Sequence, residues 1–471
     1  MKYRIWVLLI PFAWIINIPA FAAYPPEQDS TGVLNLKKAL AICLKRYPSI
    51  KAKEALQQSV AGELAAARTE YLPQLILQDQ YLFASTNNVQ GATYSNGGTT
   101  ISVTGGTREQ NIYQGVWTSY ATMLVDWKFF NFGKVKANIA IAENVLEKSR
   151  LELENEMFRQ QVQVADAYLM LIATKQFVVI QQQNLERATA FRSAILANTL
   201  NGLRPGADSS LANAEVAKAK LSLLQAIQEE KTQRIRLARL IGWEQPVQEI
   251  DTAGLTNTLP ALRQQPAEVD TAHSPLLRYY RSLVTLQQSR ANATRRSVYP
   301  SLSFLSAGWA RGSGIDNVSG HLNSGMWDGI QPRALNYMVG LAFRWNILSI
   351  PQVNRQYKSE VQKVRYTNYL LEETMLKTNA EMAGAKLRLE TALEQVKQAP
   401  VQYGAALQAY QQSRARYESG LSALPELYQA LYALNRAAAD QLSAYNNVWR
   451  AILMEAAAAG DLSLFTRELQ N

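Results

Sequence analysis

The feature that most constrains this chain is that it is written twice. Trp127 is followed by KFFNFGKV and Trp345 by NILSIPQV; Gly202-Leu203 recurs as Gly420-Leu421, and Gly242 recurs as Gly460. All three pairs share one offset, 218 residues (345 − 127, 420 − 202, 460 − 242), so 116 residues (460 − 345 + 1) align without a gap. Upstream, Pro48 in YPSI matches Pro275 in SPLL, and Pro73 in EYLPQL matches Pro300 in VYPSL, both at an offset of 227 (275 − 48, 300 − 73). The nine extra residues (227 − 218) of the first half fall between Pro73 and Trp127. That stretch contains a polar loop, and loops absorb length changes that packed elements do not. A repeat on this scale means two copies of one structural unit.

Each half has the same order of elements. A helical stretch (33–71, then 275–297) ends at a proline. Two strand-like segments follow, separated by a long polar loop. A very long helix comes next (134–200, then 352–418), then a Gly-Leu turn, then a shorter helix (208–241, then 426–458). The chain divides into a leader at 1–22, a first repeat at 23–242, a connector at 243–272, a second repeat at 273–460 and a tail at 461–471. A 67-residue helix spans about 100 Å at 1.5 Å per residue, more than the width of an ordinary domain. Stacked end to end, the two shorter helices of the first half would nearly match it, which describes a rod or a tube. Residues 427–453 place Leu427, Leu431, Leu434, Ala438, Leu442, Tyr445, Trp449 and Ile452 at spacings near those of a coiled-coil seam.

Residues 1–22 read as a secretory signal peptide. Lys2 and Arg4 precede an apolar stretch, and Ala20-Phe21-Ala22 supplies a small-residue cleavage site. No later segment has about 20 consecutive apolar residues. The single cysteine, Cys43, is set in a helical pattern too far from the cleavage site for lipidation, and reads as a small buried apolar residue. The net charge is +10, or +8 without Lys2 and Arg4 (10 − 2). Such a balance in an exported protein suits anionic lipid surfaces. Nucleic acid is set aside, because no basic run is interleaved with aromatics.

Residues 337–347 alternate: Tyr337, Val339, Leu341, Phe343, Trp345 and Ile347 share one face, opposite Met338, Gly340, Ala342, Arg344 and Asn346. In 117–127 Trp117, Ala121, Met123, Val125 and Trp127 likewise oppose Thr118, Tyr120, Thr122, Leu124 and Asp126. The partner segments 74–84 and 301–310 are apolar but alternate less well. Strands of about ten residues with an apolar face and aromatic ends are those of an outer-membrane barrel. Four strands cannot close a barrel, and open edges in lipid leave backbone groups unpaired, so several chains must share one.

These features together resemble the TolC-like outer-membrane channel family. The resemblance rests on the element order and on YLPQL, VDWKFFNFGK, NGLRPGADSSLANAEVAKAK and YESGLSALPELYQAL, and it covers nearly all of the mature chain. It implies an α+β membrane protein: a homotrimer whose twelve-stranded barrel, four strands per chain, spans the outer membrane. The barrel is continuous with a long periplasmic α-helical barrel. A periplasmic adaptor (membrane fusion) protein and an inner-membrane pump or ABC exporter, for drug or metal efflux or type I secretion, are the implied partners besides outer-membrane lipid. The two Gly-Leu turns become hairpin tips at the periplasmic end. Gly202, Leu203, Gly420 and Leu421 are the adaptor-docking residues. Asp208 and Glu426 match carboxylates that ring the entrance, and Tyr417 matches a tyrosine that bonds across to the first tip and helps hold the gate closed. Two positions depart from the family pattern: Gln429 stands where a second acid is found, and Ser422 where an arginine is common.

An enzyme is the first alternative. The two histidines, His273 and His321, lie in a connector and a loop, and no metal spacing, phosphate loop or nucleophile elbow occurs, so no cofactor is implied. The second is a periplasmic coiled-coil scaffold or adaptor without channel activity, which would have no use for four membrane-type strands.

Overall fold

The computed structural model of the chain describes residues 33–85, 110–201, 205–253, 255, 259, 274–316, 319 and 321–468. The leader, most of the first polar loop, Gly202, Leu203 and most of the connector lie outside them. Among the described residues nine helices run in the order α1 (Leu36–Arg46), α2 (Pro48–Arg68), α3 (Lys134–Leu200), α4 (Gly206–Ile241), α5 (Pro275–Arg296), α6 (Met326–Ile330), α7 (Ile350–Glu418), α8 (Leu424–Ala459) and α9 (Ser463–Glu468). Four strands, β1 (Gln74–Ala84), β2 (Val116–Phe130), β3 (Ser301–Ser313) and β4 (Ala334–Arg344), complete the fold. Element bounds recur at the sequence offsets. β3 starts 227 residues after β1 (301 − 74) and α5 after α2 (275 − 48); β4 starts 218 after β2 (334 − 116) and α8 after α4 (424 − 206).

Three details differ from the sequence expectation. The helix expected over 33–71 is broken at Tyr47, whose extended backbone (φ −65°, ψ 124°) is what a following proline imposes; Pro48 then opens α2. β4 lies three residues earlier than expected. Trp345 leaves the strand and donates its indole N–H to the Val298 carbonyl (3.0 Å), and a short 3-10 turn leads into α7. Residues 461–468 pack onto the body, with α9 placing a fully buried Phe465 6.4 Å from the Trp449 ring at 88°.

α3 packs against α2, α4, α5 and α8, and of these α5 and α8 also contact α7. The shorter helices stack end to end along the long ones at two glycines. α4 ends at Gly242 (φ 79°), where a Cβ would sit 3.2 Å from the Arg46 backbone just before α2. α8 ends at Gly460 (φ 76°), where a Cβ would sit 2.5 Å from Ser274, the residue that caps α5. Both need the left-handed backbone that only glycine adopts freely, and Gly460 needs the missing side chain as well.

The main core lies at these joints. Val164, Ala165, Tyr168, Leu169, Leu171 and Ile172 of α3 meet α1, the ends of α4 and α8, and α9. One 18-residue stretch of α3 is apolar enough to cross a membrane by composition, and α3 supplies this core. The Tyr168 hydroxyl lies 2.9 Å from the Leu34 carbonyl and 2.6 Å from that of Asp251, tying down the bridge between Leu34 and Ile250. Cys43 is buried in the same cluster, and burial pushes its thiol up to about 11, as befits a packing residue. Of the α8 seam, Leu427, Leu431, Leu434, Trp449 and Ile452 are buried, while Ala438, Leu442 and Tyr445 are half-buried.

The four strands form one antiparallel sheet in the order β1-β2-β3-β4. Its register makes both faces continuous. Leu77, Met123, Gly308 and Tyr337 lie in one row, and Leu75, Val125, Ser306 and Val339 in the next on the same face. That face is apolar and open: Leu335, Tyr337, Val339, Leu341 and Phe343 are all at least 63% exposed. Gln78, Thr122, Trp309 and Asn336 lie on the opposite face. At the helix end of the sheet Trp127 donates its indole N–H to the Tyr71 carbonyl (2.9 Å). Trp345 makes the matching bond to Val298, so both halves pin a tryptophan where strand becomes helix.

Candidate functional site at the helix tips

The second tip is built for a sharp reversal. Gly420 takes the left-handed conformation (φ 75°); Leu421 N–H donates to the Arg416 carbonyl (2.8 Å) and Gly420 N–H to that of Tyr417 (3.0 Å), capping the end of α7. Leu421 is 71% exposed at the turn. The first tip leaves α3 at Asn201 and resumes at Pro205, the residue before α4; Gly202 and Leu203 lie outside the described residues. Neither Pro205 nor Ala423, the two helix caps, accepts a side-chain bond. Asp208 and Glu426, 218 residues apart (426 − 208), occupy the same place in the first turns of α4 and α8. A carboxylate there complements the free N–H groups and the positive end of the helix dipole.

Just above the tips, an apolar cluster joins the two hairpins. Ile195 of α3 and Ala212 of α4 pack with Tyr410 and Tyr417 of α7 and with Leu424, Leu427, Tyr428 and Leu431 of α8. Tyr417 is therefore a buried member of the contact between hairpins. Burial pushes the Tyr428 phenol up to about 12, and the nearby negative charges of Glu215 and Asp208 push the same way.

A polar layer that the sequence reading missed lies directly above. The Tyr432 hydroxyl donates to the buried Glu215 carboxylate, and the Lys218 ammonium stands 3.7 Å from the centre of the Tyr432 ring. Higher still, Arg187 donates to the Asn435 side chain (2.8 Å), which donates in turn to Asn184. For the apolar part of this junction the sequence signals are the α8 seam at Leu427, Leu431 and Leu434 and the spacing of Tyr403, Tyr410 and Tyr417, seven apart on one helix. Among the described residues no group of metal-ligating side chains occurs.

A sheet with one open apolar face, continuous with helices of 67 and 69 residues of which the second ends at a tight turn with an exposed leucine, is the architecture of a membrane protein with a long helical body. The chain belongs to the outer membrane efflux protein family, whose sequence profile matches residues 40–243 and 271–456. No curated protein matches the chain. Among solved structures it is similar to the outer membrane protein VceC from Vibrio cholerae (15% identity, 90% of this chain and 96% of that one, TM-score 0.72). It is similar as well to the CmeC outer membrane channel of Campylobacter jejuni (13%, 90% and 85%, 0.72). A third is the open state of the MtrE outer membrane channel of Neisseria gonorrhoeae (17%, 90% and 89%, 0.67). The protein is thus an efflux channel of the outer membrane with a periplasmic tunnel, a transport protein and not an enzyme. Channels of this family work with periplasmic adaptors and inner-membrane pumps.

Proposed function

We propose that three copies of this chain form a homotrimeric tunnel closed at its lower end by the tips. The observation that carries this is the sheet: one apolar face, with β1 and β4 as open edges. Pairing β4 of one copy with β1 of the next gives a twelve-stranded barrel and leaves no edge in lipid. The two halves are copies of one unit, with 23–242 and 273–460 as the repeats and 243–272 as the connector. In the trimer, Asp208 and Glu426 form two carboxylate rings at the entrance. Gly202, Leu203, Gly420 and Leu421 form the tips that meet a periplasmic adaptor, with an inner-membrane pump or ABC exporter beyond it. The junction around Tyr417 holds the hairpins together in the closed arrangement. The scaffold reading is not favoured, since it leaves the membrane sheet without a purpose.

Planar-bilayer recordings test the gate. The wild-type pore is expected to prefer cations, because the field inside a narrow cleft, rather than total charge, is what an ion meets. Asp208→Asn with Glu426→Gln should weaken that preference. The difference should fade as the screening length falls from about 10 Å at 0.1 M salt to about 3 Å at 1 M. An unchanged ion preference in the double variant would place both acids away from the constriction.

A further inference from the structure

The tunnel and its gate leave the positive charge of the chain unexplained. That charge is concentrated where sheet meets helices. Residues 128–136 (KFFNFGKVK), 290–296 (RANATRR) and 344–358 (RWNILSIPQVNRQYK) each carry three Lys or Arg and no Asp or Glu. Together they contribute +9 (3 + 3 + 3) of the chain's +10, so the rest is nearly balanced. The three segments are far apart in sequence but meet in space: the first joins β2 to α3, the second ends α5 just before β3, and the third joins β4 to α7. All nine basic side chains are exposed, and none forms an ion pair among the described residues. Arg296 uses one N–H for the Phe132 carbonyl (3.1 Å).

The position of this collar along the molecule is marked by aromatics. Phe132 stacks on Tyr299 (centroids 6.0 Å) and meets Phe130 edge-on (4.7 Å), beside the two pinned tryptophans. Tyr and Trp bands of this kind sit at the headgroup level of a bilayer. The collar therefore starts where the apolar face of the sheet ends, on the periplasmic side. Unpaired cations at that depth meet phosphate.

We propose that this collar binds the headgroups of anionic phospholipids in the periplasmic leaflet of the outer membrane, fixing the depth at which the barrel sits. Each basic group near an anionic bilayer surface strengthens binding roughly five-fold, and the attraction decays within a screening length. Of the nine, Arg344 pairs with Ser301 on the face opposite Phe343, turned away from lipid; it stands outside the proposed binding set and serves as an internal control.

The test uses purified full-length protein in neutral detergent and measures thermal stability and lipid retention by native mass spectrometry. Added phosphatidylglycerol should raise the melting temperature and remain bound, phosphatidylethanolamine should do neither, and 0.5 M salt should abolish the effect. The variant Lys134→Gln/Lys136→Gln/Arg295→Gln/Lys358→Gln should lose phosphatidylglycerol binding by roughly five-fold per charge removed, while Arg344→Gln should keep it. Salt dependence of the wild type is a readout independent of whether the quadruple variant folds. Equal binding of the two lipids, insensitivity to salt, or an equal shift with inorganic phosphate alone would each overturn the assignment. Outer-membrane fractionation of the same variants reports separately on the channel reading.

Discussion

Gly460→Val is expected to remove most of the folded channel from the outer membrane, whereas Gly420→Ala should leave its level near normal. Both glycines are left-handed, at φ 76° and 75°, so backbone strain alone would cost each variant about 1 kcal/mol or more. They differ in what surrounds them. A Cβ on Gly460 would lie 2.5 Å from the Ser274 Cβ and 2.6 Å from its Cα, while nothing lies within 4 Å of the same point on Gly420. The neighbour at Gly460 is the start of α5, held by the bond from Leu277 N–H to the Ser274 hydroxyl, so relief means parting two stacked helices. A total near 3 kcal/mol is a large share of a margin of about 5–15 kcal/mol. Denaturant midpoints in detergent and immunoblots of outer-membrane fractions check this. Equal stability of the two variants would show that the α8–α5 joint yields easily.

The second large effect is expected at the tips. Leu421 is 71% exposed at a turn whose neighbours are polar, and Leu203 holds the same position in the sequence of the first tip. Single exposed leucines are common and carry no meaning alone. Three chains, however, would bring six such tips to one ring, and burying a leucine at a contact contributes about 1.5–3 kcal/mol. Leu203→Ser with Leu421→Ser should preserve assembly and membrane insertion, since Leu421 is exposed and outside the described core clusters and Leu203 is its counterpart in the sequence of the first tip. Crosslinking to the adaptor and export should fall together, by ten-fold or more. Normal export by a normally assembled double variant would reduce the Gly-Leu turns to helix terminators.

How much of this could be read from the sequence depended on how local the cause was. Period-two alternation put Tyr337, Val339, Leu341 and Phe343 on one face, and the strand register agrees. Glycine and proline marked the helix ends at Gly242, Gly420 and Gly460 because the left-handed cap is a property of one residue. The break at Tyr47 was equally local, a consequence of Pro48, and was passed over in favour of a longer apolar pattern. The shift of β4 was not local: it depends on the Trp345 indole finding the Val298 carbonyl, 47 residues away. The bond between Tyr432 and Glu215, 217 residues apart, was out of reach for the same reason. The repeat tells which positions are equivalent; it does not tell which of them touch. The pairing of hairpins at the tips had to come from the three-dimensional structure.

The most direct test of the account is the mass of the purified, detergent-solubilised protein, measured by light scattering or native mass spectrometry. A four-stranded sheet with two open edges and an apolar face requires several chains to share one barrel, and the trimer of this family sets the expected number at three, with 52.6 kDa for each full chain, in an assembly that resists dilution. A stable, folded monomer inserted in the membrane would contradict it.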